Sequence, residues 1–150
     1  MSAVAEKVSE QVALFEHVER LERIADDLAE RHDPAAADVR KVVADIVDDV
    51  PPVRIAVAVE LLQVSKATVW SWLGRGIIRN ANGNPTKVQV LDPHRLHEVL
   101  HIVRDLRELG TKSGDLAEHV WYRLEDQELA ESDMFVEGMA AWRDGDTHKV

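Results

Sequence analysis

Residues 54–73 read RIAVAVELLQVSKATVWSWL, two short helical patterns that meet at the junction Gln63-Val64-Ser65. In the first, Ile55, Val59 and Leu62 recur at helical spacing with Ala58 beside them, a stripe that another apolar surface must cover. The second supplies that surface through Val69, Trp72 and Leu73. Ser65 stands just before Lys66 as a good N-cap, its hydroxyl placed to accept from a free amide of the next turn. Helices joined this tightly cross steeply, and where such a pair reads DNA the second helix lies in the major groove.

Upstream, Leu14, Val18, Leu21, Ala25 and Leu28 alternate at spacings of four and three, widened by Phe15 and Ile24, which predicts a long amphipathic helix over 3–31. Two heptads fall short of a stable isolated coiled coil, so the seam packs either within the chain or on a second copy. Asp33-Pro34 offers an N-cap and an N1 proline to a second helix with Val39, Val42, Val43, Ile46 and Val47 on one side. The expectation is a helical hairpin over 1–50 that dimerises the protein. Pro51-Pro52 then ends it as a stiff hinge.

Downstream of Gly76 the period turns from helical to extended: Ile77-Ile78-Arg79, a polar turn at 80–85 containing Asn82-Gly83, then Thr86-Lys87-Val88-Gln89-Val90-Leu91. This predicts a β-hairpin. Asp92-Pro93 opens another helix, with Leu96, Val99, Leu100, Val103 and Leu106 inward and Gly110 as its stop. Asp115 with Glu118 reads as a capping box for a helix carrying Leu116, Val120, Trp121 and Leu124, and a last short helix from about Asp133 carries Phe135, Met139 and Trp142.

The run from Ala58 to Leu73 with Gly76-Ile77-Ile78 resembles the MerR and excisionase-like winged helix-turn-helix superfamily over residues 54–103. It shares an Ala-rich first helix, a Val-Ser junction, a Thr-Val-x-x-Trp second helix and a Gly-hydrophobic pair in that order. Gln63 stands where the superfamily has Gly, Arg54 where it has a capping Thr or Ser, and Ser71 where a basic residue often points at DNA. The fold implied is mainly α: a central winged helix-turn-helix over 53–109 with a small β-hairpin wing, the N-terminal hairpin before it and amphipathic helices over 115–146 after it. The resemblance implies duplex DNA as partner and Ser65, Lys66, Ala67, Thr68, Trp70, Ser71, Arg75, Arg79 and Lys87 as contacts. In that superfamily an aromatic at the Trp70 position packs along the DNA backbone; packing of Trp70 against the wing is the alternative. Trp72 belongs to the core.

Charge distribution points the same way. The net charge of -10 opposes nucleic-acid binding for the chain as a whole, yet residues 54–91 hold five basic residues against Glu60 alone. Both flanks are strongly acidic. Acidic helices serve solubility equally well. The C-terminal aromatics sit on thin acidic helices behind the glycine-containing link 111–114, a layout similar to type II antitoxins, whose tails wrap a toxin. Trp121, Leu124, Phe135, Met139 and Trp142 are the corresponding partner-binding candidates.

Other classes find little support. There is no cysteine, which excludes disulfides and thiolate metal sites. No apolar run approaches a membrane span, and the N-terminal residues lack a signal-peptide core, so a cytoplasmic protein is expected. No nucleophile-base pair or phosphate-cradling loop is present; Asp26-Asp27, Asp48-Asp49 and Glu125-Asp126 are helical neighbours that diverge by about 100°. Neither an enzyme nor a cofactor is expected. His94, His97 and His101 share a helical stripe, and the i, i+4 pair has the spacing of two imidazoles on one metal. That stripe points away from Leu96, Val99 and Val103, which predicts surface histidines without surrounding support and no metal. The functional expectation is a DNA-binding transcriptional regulator, dimeric, in the manner of an antitoxin-like autorepressor. The alternative is a protein-interaction adaptor that uses the helix-turn-helix as a scaffold.

Overall fold

A computed structural model describes residues 3–81 and 89–131 of the chain. Expectations that fall on Lys87, Phe135, Met139 and Trp142 lie outside these residues. The protein is mainly helical with one small antiparallel sheet, and it divides into two compact units between Asp105 and Leu106.

In the first unit, α1 (Ala3–Glu30) and α2 (Ala35–Asp49) form the expected hairpin. Val18 of α1 packs with Val43 and Val47 of α2, and Leu21 and Ile46 lie against that cluster. Each valine so buried contributes about 1.5 kcal/mol. The middle of the hydrophobic seam, at Val18 and Leu21, is thus occupied by the chain's own second helix. Phe15 and Ala25 are also buried, whereas Ile24 and Val42, expected on the inner faces, are both half exposed.

The hairpin turn follows from local chemistry. His32 takes the left-handed conformation (φ 57°), and Asp33 N donates to Leu28 O at 2.9 Å, which satisfies the last carbonyls of α1. The Asp33 carboxylate accepts from Ala35 N at 2.9 Å while Pro34 already has helical angles (φ -64°, ψ -16°). Cap and N1 proline therefore stand where the sequence places them.

After Pro51-Pro52 the chain makes a two-residue strand, β1 (Val53–Arg54), before α3 (Ile55–Leu62). Its antiparallel partner is β2 (Val90–Leu91), in the register Val53 with Leu91 and Arg54 with Val90. The extended run after Gly76 also meets β2: Asn80 bridges to Leu91, Ala81 N donates to Val90 O at 3.0 Å and Asp92 N to Arg79 O at 2.8 Å. β2 is thus flanked on one side by Asn80 and Ala81 and on the other by β1, which the sequence pattern does not announce. Helix α4 (Lys66–Gly74) follows α3 across residues 63–65, and α5 (Pro93–Glu108) follows β2. The Asp92 carboxylate accepts from His94 N at 3.0 Å at the start of α5.

In the second unit the end of α5 is closed by Gly110 (φ 84°), with Thr111 N donating to Leu106 O at 3.0 Å. A 3-10 turn (Ser113–Asp115) leads into α6, residues 116–131, whose Leu116, Val120 and Leu124 are all buried. Among the described residues no helix is long and apolar enough to cross a membrane.

Candidate functional site

Helix α4 is positioned by its two ends. At its start Ser65 is extended and its Oγ accepts from Thr68 N at 3.0 Å, while the two hydroxyls lie 2.8 Å apart. Both hydroxyls therefore serve the helix end, and Thr68 is half-buried. Gln63, where the resembling superfamily has Gly, adopts φ 55° and ψ 46°, so the left-handed turn is made without glycine. At the other end Gly76 is left-handed (φ 79°), Gly76 N donates to Leu73 O at 3.2 Å and Ile77 N to Trp72 O at 2.9 Å. This pairing closes the helix and turns the chain toward β2.

Sequence reasoning missed what holds that turn. Arg95 of α5 is buried, 7 % exposed, and its Nε donates to Ile77 O at 2.8 Å and its Nη2 to Gly76 O at 3.2 Å. A guanidinium on backbone carbonyls is a strong, directional tie. It fixes the end of α4 to α5. Arg95 stands among histidines and leucines in sequence, and nothing local marks it as buried.

Val69 and Trp72 anchor α4 in the core, at 0 % and 3 % exposure. The opposite side presents Lys66, Ala67, Trp70 and Ser71, all exposed, with Arg75 and Arg79 exposed beyond it. Trp70 is 43 % exposed and borders a groove with Val4 of α1, Ala56 and Val59 of α3, Lys66 and Gln89. Six of the nine DNA-contact candidates are thus exposed; Ser65 is exposed too, with its hydroxyl committed to the cap.

The histidine stripe is a correction to the sequence reading. His94 is exposed and lies 3.2 Å from Asp48 of α2. His97 and His101, expected on the open surface, are covered by α1: their side chains are 22 % and 34 % exposed, and Glu22 between them only 14 %. His97 Nε2 is 2.6 Å from Glu22 Oε1, and His101 Nε2 contacts the other carboxylate oxygen. Their rings meet edge to face with centroids 4.9 Å apart. Arg104 Nη2 donates to His101 Nδ1 at 2.9 Å, which leaves the Nε2 proton facing Glu22, and Arg104 Nη1 reaches Glu19 at 3.1 Å. Burial pushes the His101 pKa below its ordinary value, Glu22 opposing and His97 and Arg104 adding to the shift. One ligand atom from each of Glu22, His97 and His101 falls within 4.8 Å of the others, the spacing of groups able to share a cation. The apolar face of α5 gives the histidine direction correctly; that a helix some 75 residues earlier in sequence covers it is not a local property.

The C-terminal candidates separate as well. Leu124 is buried, at 2 % exposure, whereas Trp121 is half-buried. No protein-family model, curated protein or solved structure matches this chain.

Proposed function

We propose that α3, the turn at 63–65 and α4 form a helix-turn-helix that reads duplex DNA, with the segment between Gly76 and β2 as its wing, in a transcriptional regulator. The observation that carries this reading is the exposed side of α4: Lys66, Ala67, Trp70 and Ser71 stand outward on a helix locked at both ends, in the one basic stretch of an acidic chain. A rigid helix with a free outer side is what the major groove accepts. Arg75 and Arg79 are placed for phosphates, which position the reader without specifying sequence. Dimerisation is part of the same proposal. With the Val18 seam packed on α2, it falls to the outward Ile24 and Val42. Association of the acidic C-terminal segment with a basic partner of the toxin kind rests on Trp121 and on Phe135, Met139 and Trp142.

Selection from a randomised duplex library tests the reading. A DNA reader enriches a defined motif, and Trp70→Ala with Ser71→Ala abolishes the enrichment while the circular dichroism is unchanged. A library that emerges unenriched refutes sequence-specific reading. The groove of Val4, Ala56, Val59 and Trp70 favours a second reading, the adaptor, because an apolar groove next to an exposed tryptophan suits a peptide better than a phosphate backbone.

A further inference from the structure

We propose that Glu22, His97 and His101 form a binding site for a divalent transition-metal ion of the zinc class, which ties α1 to α5. The proposal does not depend on the DNA reading. Two imidazoles from successive turns of one helix and a carboxylate from another are a donor set of intermediate softness, suited to zinc, cobalt or nickel and poorly suited to magnesium or calcium. The three ligand atoms already converge within 4.8 Å. Tetrahedral zinc, with bonds of about 2.0–2.1 Å, holds its ligand atoms about 3.3 Å apart. Glu22 Oε1 is 2.6 Å from His97 Nε2, and the three ligand atoms span no more than 4.8 Å, so the side chains need to shift by about 1.5 Å at most, a change within side-chain rotation.

Access and a further position come from the cleft onto which the cluster opens, lined by α1, α2 and α5 and carrying Asp26, Asp48 and His94 at its sides. Three protein ligands leave a zinc ion one position for water or an exogenous group. Arg104 sets the cost of binding. Arg104 donates to His101 Nδ1, yet a ligating Nε2 requires the proton on Nδ1, so Arg104 must release that atom. It has somewhere to go, since its other nitrogen is already on Glu19. Arg104 therefore opposes the metal by geometry and by charge, and its removal should strengthen binding.

The test is calorimetric titration of the full chain with zinc ions in a non-coordinating buffer, paired with the visible spectrum of the cobalt(II) form. The expected result is one ion per chain, an intense tetrahedral cobalt spectrum, and a loss of about tenfold or more in affinity for each of Glu22→Gln, His97→Ala and His101→Ala. His94→Ala should leave affinity unchanged and Arg104→Met should raise it. Glu22→Gln keeps shape and hydrogen bonding to the imidazoles, so its effect is not a folding artefact, and circular dichroism of each variant confirms this. Absence of saturable binding by the wild type overturns the site. So does binding that survives Glu22→Gln and His97→Ala together, which would assign the ion to other histidines.

Discussion

Replacing Arg95 with Met keeps most of the aliphatic bulk and removes the guanidinium that holds the end of α4. Two carbonyls lose their donor: Ile77 O, bonded at 2.8 Å in a buried setting, and Gly76 O, bonded at 3.2 Å and partly buried. A hydrogen bond to a charged group contributes about 1.5–3 kcal/mol, and the weaker second bond belongs at or below the low end. The Glu98 carboxylate, 3.6 Å away and half exposed, adds little. Relief of the buried guanidinium's desolvation offsets part of the loss, so the net destabilisation is about 2–3 kcal/mol. With a urea m-value of about 2 kcal/mol/M, the unfolding midpoint falls by about 1–1.5 M. Urea titration followed by far-UV circular dichroism measures this directly. A midpoint within ~0.2 M of the wild type, the scatter of such fits, would show that the 76–78 turn does not depend on Arg95.

Smaller changes test the local geometry. Gln63→Gly and His32→Gly each relieve a left-handed side chain at the cost of a more flexible unfolded chain, and each should stabilise by about 0.5 kcal/mol in thermal melts. A loss of stability in either would mean that the side chain contributes more than its backbone strain costs. Ser65→Ala removes the cap on Thr68 N and should destabilise by about 1 kcal/mol. Leu124→Ala, at a position 2 % exposed, should lower stability by about 2–5 kcal/mol, whereas a surface anchor would leave the melting temperature unchanged. Ile24→Glu with Val42→Glu should convert a dimer to a monomer in light scattering, and an unaltered dimer places the interface elsewhere.

The parts of the fold that a reader of the sequence can find are those set within a few residues. Asp33-Pro34, Ser65 and Asp92-Pro93 cap helices because the donor they satisfy is two or three residues away. The periodicity of α1 likewise gives a helix, though it cannot say whether Val18 meets Val43 of the same chain or a residue of another. Strand β1 escapes notice because two residues carry no period, and its pairing is with residues some forty positions later. Arg95 and the Glu22–His97–His101 cluster escape for the same reason: their partners are fixed by packing of distant elements, and the side-chain types alone favour the surface. The burial of Leu124 is equally hard to read, because thin amphipathic helices with large apolar residues look alike whatever covers them.

The central claim, that the outer side of α4 meets duplex DNA, is tested most directly by the salt dependence of binding. Fluorescence anisotropy of a labelled duplex, titrated with wild-type protein between about 50 and 200 mM salt, should give a linear fall of log K with log salt, since non-specific binding of about 10⁻⁴–10⁻⁶ M depends on released counterions. Lys66→Ala, Arg75→Ala and Arg79→Ala should each flatten the slope by about one unit for every phosphate left without its cation. No anisotropy change at about 50 mM salt with about 100 µM protein, or an affinity that the triple variant leaves intact, would contradict the claim.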